Sequence, residues 1–161
     1  MKFFLLFLFL LPLFATAQDC KVIRETDPYT KETKVSSGFV TLQRATVSIE
    51  ADSKEIDFFF IVEGKCFNDM STVYIFFEGN RVKTTYRNGG SVNCDGYFHF
   101  KFRNTANTTG PLQKLSTQKV AQFIFTGNDK KEMIVSLLPE QQETLMQAAA
   151  CVSTEAKTLI K

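Results

Sequence analysis

The sequence predicts an α+β fold that is mainly antiparallel β: a single twisted sheet, a sandwich or a partly open barrel of about seven or eight strands, covered by a C-terminal helix. Three observations predict this fold. Short runs of β-branched and aromatic residues alternate with polar residues through most of the chain. Gly79-Asn80 separates two such runs by the two residues that a tight hairpin needs. Near the C-terminus, the alternation gives way to a helical repeat.

The first part of the chain predicts several strands. Asp27-Pro28 is a turn signal inside the opening segment CKVIRETDPYTKETKVSS, so a hairpin or a strand pair is expected there. The runs RATVSIEA and KEIDFFFIVEG follow, each bounded by charged turn residues. In the second run, Phe58 and Phe60 share one face while Phe59 and Ile61 occupy the other. Apolar residues on both faces indicate a central strand.

The hairpin around Gly79-Asn80 has a register that can be counted outward from its turn. The count pairs Ile75 with Thr84 and Val73 with Tyr86, so apolar and β-branched pairs fill one face. This segment is the clearest local prediction that the sequence makes.

The remaining elements are a strand, a second hairpin and helical segments. Asp95-Gly96 opens the strand YFHFKFR, residues 112–118 predict a short helical turn, and KVAQFIFTGNDKKEMIVSLL predicts a hairpin. Pro139 suits a first helical turn, and the apolar spacing after it predicts an amphipathic helix over about residues 139–152. Because no linker or repeat is visible, residues 18–161 are predicted to form one β-rich domain.

The N-terminus predicts export. Residues 1–17, MKFFLLFLFLLPLFATA, combine Lys2, an uninterrupted apolar run and a small-x-small end at Ala15-Thr16-Ala17. This pattern is typical of a secretory signal peptide cleaved after Ala17. A membrane anchor is not expected, because spanning a bilayer takes about 20 apolar residues. The mature chain is therefore expected to be secreted or periplasmic, without a transmembrane segment.

Four cysteines lie beyond the signal: Cys20, Cys66, Cys94 and Cys151. An even count in an exported chain predicts disulfides, and three pairings are possible in principle. Continuing the central hairpin register with one bulged residue places Cys66 opposite Cys94, which leaves Cys20 with Cys151. Metal or redox use is not expected, because no Cys-x-x-Cys is present and the chain has a single histidine.

Few residues suggest chemistry. His99 alternates with phenylalanines in YFHFKFR, which predicts a polar side chain on the wet face of a strand. No local signature supplies it with a nucleophile. The acidic pairs Glu50 with Asp52 and Glu55 with Asp57 have the spacing of one strand face, as glycosidase carboxylates can have. They are more typical of solubilising strand borders.

The sequence therefore predicts no catalytic, cofactor-binding or metal-binding residue, and no cofactor. With a net charge of +2, nucleic acid is not an expected partner. Asn107 begins a glycosylation sequon, Asn-Thr-Thr, in a polar loop, which matters only in a host that glycosylates exported proteins.

A binding surface is predicted from aromatic and basic residues on strand faces opposite the core. It forms if the outward face of the central hairpin lies beside that of YFHFKFR. Its members are Tyr74, Lys83, Arg87, Tyr97, His99, Lys101 and Arg103.

The signal, the opening CKVIRETDPYTKE, the paired strands and the ending LLPEQQETLMQAAACV together give the chain a recognisable layout. In that layout it resembles small exported proteins of Bacteroidota-type bacteria that carry no assigned activity. The resemblance implies export to the periplasm or beyond and supplies no functional residue.

Three hypotheses of function follow. The first is a non-enzymatic secreted or periplasmic module that binds a protein or an envelope or glycan component. The second is an inhibitor-like protein or a carrier that encloses a small apolar ligand in a curved sheet. The third, and least favoured, is a hydrolase that uses Glu50 and Asp52 or the neighbourhood of His99.

Overall fold

The structure is a computed structural model, and it describes residues 20–160. The predicted signal peptide at residues 1–17 lies outside the described residues. Within this range the strands are β1 (Ile23–Thr26), β2 (Thr33–Thr41), β3 (Ala45–Ala51), β4 (Glu55–Val62), β5 (Thr72–Phe77), β6 (Lys83–Arg87), β7 (Tyr97–Arg103), β8 (Val120–Thr126) and β9 (Glu132–Ser136). The helices are α1 (Gly110–Thr117) and α2 (Pro139–Ala156), and a 3₁₀ turn (Lys157–Leu159) follows.

The strands form two antiparallel sheets. One has five strands in the order β1-β2-β3-β4-β7, and the other has four in the order β6-β5-β8-β9. The predicted fold class is confirmed, and the sandwich is the arrangement that the structure adopts. The described range holds nine strands rather than seven or eight, because every predicted hairpin contributes both of its strands.

Phenylalanine rings join the two layers. Phe60 on β4 is fully buried, and its ring centroid lies 5.1 Å from that of Phe123 and 5.3 Å from that of Phe125, both on β8. Phe98 on β7 lies 5.3 Å from Phe125 in an edge-to-face arrangement. These distances are those at which aromatic pairs attract, so the interior is filled by ring packing.

The predicted hairpin register is confirmed: β5 pairs with β6 through Val73 with Tyr86 and Ile75 with Thr84. Beyond it, Phe67 bridges Asn93, which continues the hairpin register with the one-residue shift that was predicted. The disulfide between Cys66 and Cys94 lies immediately beside this bridge.

Helix α2 covers the part of the five-stranded sheet that the smaller sheet leaves bare. It contacts β2, β3 and α1, and it buries Leu145, Ala149 and Val152. The helix continues to Ala156, beyond the predicted end at 152, because Val152, Ser153 and Ala156 still face the core. The second disulfide joins Cys20 to Cys151 on this helix, so both predicted pairings are confirmed.

One smaller prediction needs adjustment. The helical turn predicted over 112–118 is an eight-residue helix that begins two residues earlier, with proline in its first turn.

Within residues 20–160, no helix combines the length and the apolar character that a membrane crossing requires.

Gly96 lets β7 begin close to β4. Its φ is +79°, and a methyl group at this position would lie 2.1 Å from the carbonyl oxygen of Val62. The Gly96 carbonyl accepts a 2.8 Å hydrogen bond from the Val62 amide. Only glycine tolerates both the left-handed backbone and the close approach.

Tyr86 packs where the edges of the two sheets meet, and burial raises its pKa to about 12. Its ring stacks on that of Phe100 at 4.4 Å. The folded protein favours the protonated phenol of Tyr86. The stability that comes from burying this neutral side chain is therefore intact below about pH 10 and is lost as the pH rises through 12.

We therefore expect one of the four tyrosines to ionise late when tyrosinate absorbance is followed against pH. Tyr86→Phe should remove the step near pH 12, whereas Tyr29→Phe, at a side chain that is 93% exposed, should leave that step in place. A wild-type titration complete by about pH 11 in the folded protein would contradict the burial of Tyr86.

Candidate binding face on the five-stranded sheet

The outer face of the five-stranded sheet carries the β7 part of the predicted surface. Phe98, Phe100 and Phe102 point inward and are buried, so the residues between them point outward. The outward residues are Tyr97, His99, Lys101 and Arg103. The prediction that His99 lies on the outer side of its strand is consistent with this arrangement, although its side chain is only 21% exposed.

A β-bulge in β2 adds a large apolar residue to this face. The register shifts between Ser36 and Phe39, and Gly38 within the bulge has a φ of +69°. The Ser37 hydroxyl accepts a 3.0 Å hydrogen bond from the Ile49 amide across the bulge. As a result Val40 packs against the core, while Phe39 is turned outward and is 67% exposed.

Phe39 was missed by sequence reasoning. Strict alternation along the strand gives Val35 and Phe39 the same face, and the extra residue reverses that assignment. The available indication was Gly38, because a glycine inside a strand pattern often marks a bulge.

Cross-strand pairing places Phe39 in one row with Phe59, and Tyr97 lies beside Phe59 on the neighbouring strand. Phe39 pairs with Ser48, Ser48 pairs with Phe59, and Phe59 pairs with His99. The Phe59 ring lies 5.5 Å from that of Tyr97 and 6.3 Å from that of His99. We call Phe39, Phe59 and Tyr97 the aromatic row.

Charged residues occupy the adjoining part of the same face. Asp57 on β4 pairs with Glu50 on one side and Lys101 on the other. Lys101 hydrogen-bonds Glu55, and its Nζ lies 3.7 Å from an Asp57 oxygen. The hydrogen bond to Glu55 is the main cause of a raised Lys101 pKa, with the nearby Asp57 charge adding to it. We call Glu50, Glu55, Asp57 and Lys101 the charged row.

His99 joins the two rows. Its Nδ1 lies 2.9 Å from Oδ2 of Asp57, and a methyl group at Gly90 would lie 2.7 Å from its Nε2. The other Asp57 oxygen, Oδ1, is buried and has no hydrogen-bond partner among the described residues. A carboxylate oxygen in that state has unused accepting capacity.

The edge of β7 beside His99 is closed by asparagine side chains. Oδ1 of Asn88 accepts a hydrogen bond from the His99 amide, and the Gly89 amide donates to the His99 carbonyl at 2.7 Å. Asn93 similarly accepts from and donates to the backbone of Tyr97. These contacts fix the two residues at this edge, and no sequence pattern indicated them.

The geometry gives His99 no nucleophile. In the described part of the chain, the only side-chain hydrogen-bond partner of its ring is Asp57. A histidine that activates a protein nucleophile needs a hydroxyl or thiol within reach of its other nitrogen, and Nε2 here faces Gly90. Glu50 and Asp52 do not act as a pair of carboxylates either. Asp52 stabilises the β3–β4 turn by accepting hydrogen bonds from the backbone amides of Lys54 and Glu55.

Two connected grooves lie on this outer face. The first has a volume of about 220 Å³ and runs between Ile23 and Phe39, with Ser36, Ser48 and Glu50 among its polar walls. The second, of about 150 Å³, continues along the charged row to Asp57 and Lys101. Both include Lys34 and Glu50, so they adjoin.

The other predicted surface residues lie on the smaller sheet. Lys83 Nζ lies 3.7 Å from the centre of the Tyr74 ring, a cation–π contact between β6 and β5. Arg87 is exposed at the end of β6. Because the inner faces of the two sheets meet, these residues point away from the β7 residues. The expected seven-residue surface is therefore two separate surfaces.

The glycosylation sequon lies outside this face, and the described residues offer no metal site. Asn107 is exposed in the loop before α1, as a sequon requires. Among residues 20–160, no group of three or more histidine, cysteine or acidic side chains could hold a metal ion.

Comparison with known proteins gives no relative: no protein-family model, no curated protein and no solved structure matches the chain.

Proposed function

We propose that this chain is a secreted or periplasmic binding protein without enzymatic activity, and that the outer face of the five-stranded sheet is its binding surface. The observation that carries the proposal is the exposure of Phe39 in the middle of a strand, where a bulge turns it away from the core. Bulges that re-aim a side chain are over-represented beside functional sites.

Support for the compartment comes from the two disulfides, which are compatible with an oxidising environment. They agree with the signal peptide expected at residues 1–17 and with the resemblance to exported bacterial proteins. Export itself is part of the proposal.

The packing favours surface binding over the carrier hypothesis. A carrier needs a cavity among its apolar residues, and pockets for small ligands typically enclose about 300–1,000 Å³. Here Phe58, Phe60 and Phe98 are at most 1% exposed and touch neighbouring rings. The grooves instead open on the outer face, where polar and apolar groups alternate.

The test is affinity capture from the native envelope and culture medium with two matched variants. Tyr97→Ser with Arg103→Ser alters the proposed face, and Tyr74→Ser with Lys83→Ser alters the smaller sheet. We expect wild type and the second variant to retain the same component and the first variant to lose it, because only the first removes an aromatic and a basic side chain from the proposed face. Circular dichroism checks that both variants fold.

Equal retention by all three proteins, or loss only in the Tyr74 and Lys83 variant, would overturn the proposed location. Retention of nothing by wild type would overturn the binding function.

A further inference from the structure

We propose that the ligand of this outer face is a glycan, with a sugar ring lying on Phe39 and its hydroxyl groups bonded to the polar walls of the two grooves. This inference rests on the proposed function and names the ligand class of the same surface.

The apolar part of the face suits the ring of a sugar. Phe39 is 67% exposed, and Ile23 on the neighbouring strand is 53% exposed and lines the same groove. The Cδ1 atom of Ile23 lies 3.6 Å from the position that a Gly38 Cβ would take, an ordinary packing distance, so Ile23 packs beside the bulge. The C–H groups on one side of a pyranose pack on such a surface, because aromatic faces carry partial negative charge.

The polar part of the groove needs a ligand that both donates and accepts hydrogen bonds. Glu50 is an acceptor, Lys34 is a donor, and the Ser36 hydroxyl, which accepts from the Gly38 amide, adds a second polar group to the wall. Lys34 repels a simple cation in this groove and Glu50 repels a simple anion, so the groove disfavours a ligand with a net charge of either sign. Neutral hydroxyl groups match both kinds of wall.

The second groove extends the site beyond one sugar. It begins at Lys34 and Glu50 and continues to Asp57 and Lys101. Asp57 and Lys101 line it, so an acceptor and a donor face the hydroxyl groups of a second sugar. The aromatic row runs beside this path through Phe59 and Tyr97, which gives a chain of sugars successive apolar contacts.

The charge distribution argues against a protein partner. Cores of protein interfaces are depleted of charged residues and place them at the rim. Here Glu50 on β3 and Asp57 on β4 lie opposite each other on two of the three inner strands of the five-stranded sheet, near the β3–β4 turn, and both line the second groove. Asp57 already lies against His99 and Lys101, but burying Glu50 against protein requires a partner for its charge, whereas sugar hydroxyls supply donors in any orientation.

The test coats envelope extract on a surface in three forms: untreated, digested with proteinase K, and oxidised with periodate, which cleaves the adjacent diols of sugars. Binding of the folded, disulfide-bonded protein is measured to each, together with Phe39→Ser and its matched control Ile134→Ser. Ile134 is 52% exposed and lies on the outer side of the smaller sheet.

We expect binding to survive proteinase K, to be lost after periodate, to weaken about tenfold in Phe39→Ser, and to be unchanged in Ile134→Ser. Binding that survives periodate and is lost after digestion would overturn the glycan and leave the binding function standing. Equal binding by Phe39→Ser and wild type would overturn the site. Absence of binding to every form would overturn the proposed function together with this inference.

Discussion

Phe60→Ala is expected to lower the free energy of unfolding by about 3–5 kcal/mol, the range for a buried phenylalanine cut to alanine. Phe60 is 0% exposed, and its ring contacts those of Phe100, Phe123 and Phe125. It therefore joins the two sheets at the centre of the sandwich. The loss combines the transfer energy of the ring with the cavity that its neighbours cannot close.

Urea or guanidinium unfolding of the oxidised protein measures this loss, with Phe39→Ala as the control. Phe39 is 67% exposed, so the same change there should cost no more than about 0.5 kcal/mol. Since domains of this size have a total stability of about 5–15 kcal/mol, Phe60→Ala should remove a large share of it. A loss below about 1 kcal/mol would mean that the two sheets do not pack as described.

The difference between these two phenylalanines shows how far the sequence predicts the fold. Phe60 belongs to an unbroken alternation from Ile56 to Val62, and every one of its inward positions is buried. In such a run, the face on which each side chain lies follows from the two-residue alternation, and the pairing with a neighbouring strand follows from the turn residues. Both are local features of the sequence. Phe39 follows a bulge, and one inserted residue changes the face of everything beyond it.

The candidate site was less predictable because it depends on which strands become neighbours. The sequence gives β7 an outward row, but the partner strand that supplies Asp57 to His99 lies 42 residues away. The smaller sheet pairs β5 with β8, which no local register specifies, and that pairing sends Tyr74 and Lys83 to the opposite side of the molecule. Long-range pairing of this kind follows from the packing of the whole core.

One disulfide could be predicted from a local sequence pattern, and the other depends on long-range packing. Cys66 and Cys94 follow from extending one hairpin, which is a local argument. Cys20 and Cys151 followed only by elimination, because nothing local relates the first strand to the last helix. In the structure this pairing is supported by Arg24 on β1, whose guanidinium donates to Glu155 of α2 at 2.8 Å and to Thr158.

Removing the longer disulfide by Cys20→Ala with Cys151→Ala is expected to destabilise the protein by about 5 kcal/mol, against about 3.6 kcal/mol for Cys66→Ala with Cys94→Ala. The reason is loop length: the bridges close segments with sequence separations of 131 and 28. A longer closed loop removes more conformational freedom from the unfolded chain. Double variants leave no unpaired thiol at either bridge.

Chemical unfolding of wild type and both double variants gives the two losses, and hydrogen exchange locates them. All four residues of β1 are exposed, so without its disulfide the strand depends on pairing with β2 and on Arg24. We therefore expect β1 amides to exchange faster in the Cys20 and Cys151 variant while β4 and β8 remain protected, since edge elements open first. A larger loss for the Cys66 and Cys94 variant would contradict the loop-length account and indicate that the shorter bridge holds the segment at residues 88–94 against β7.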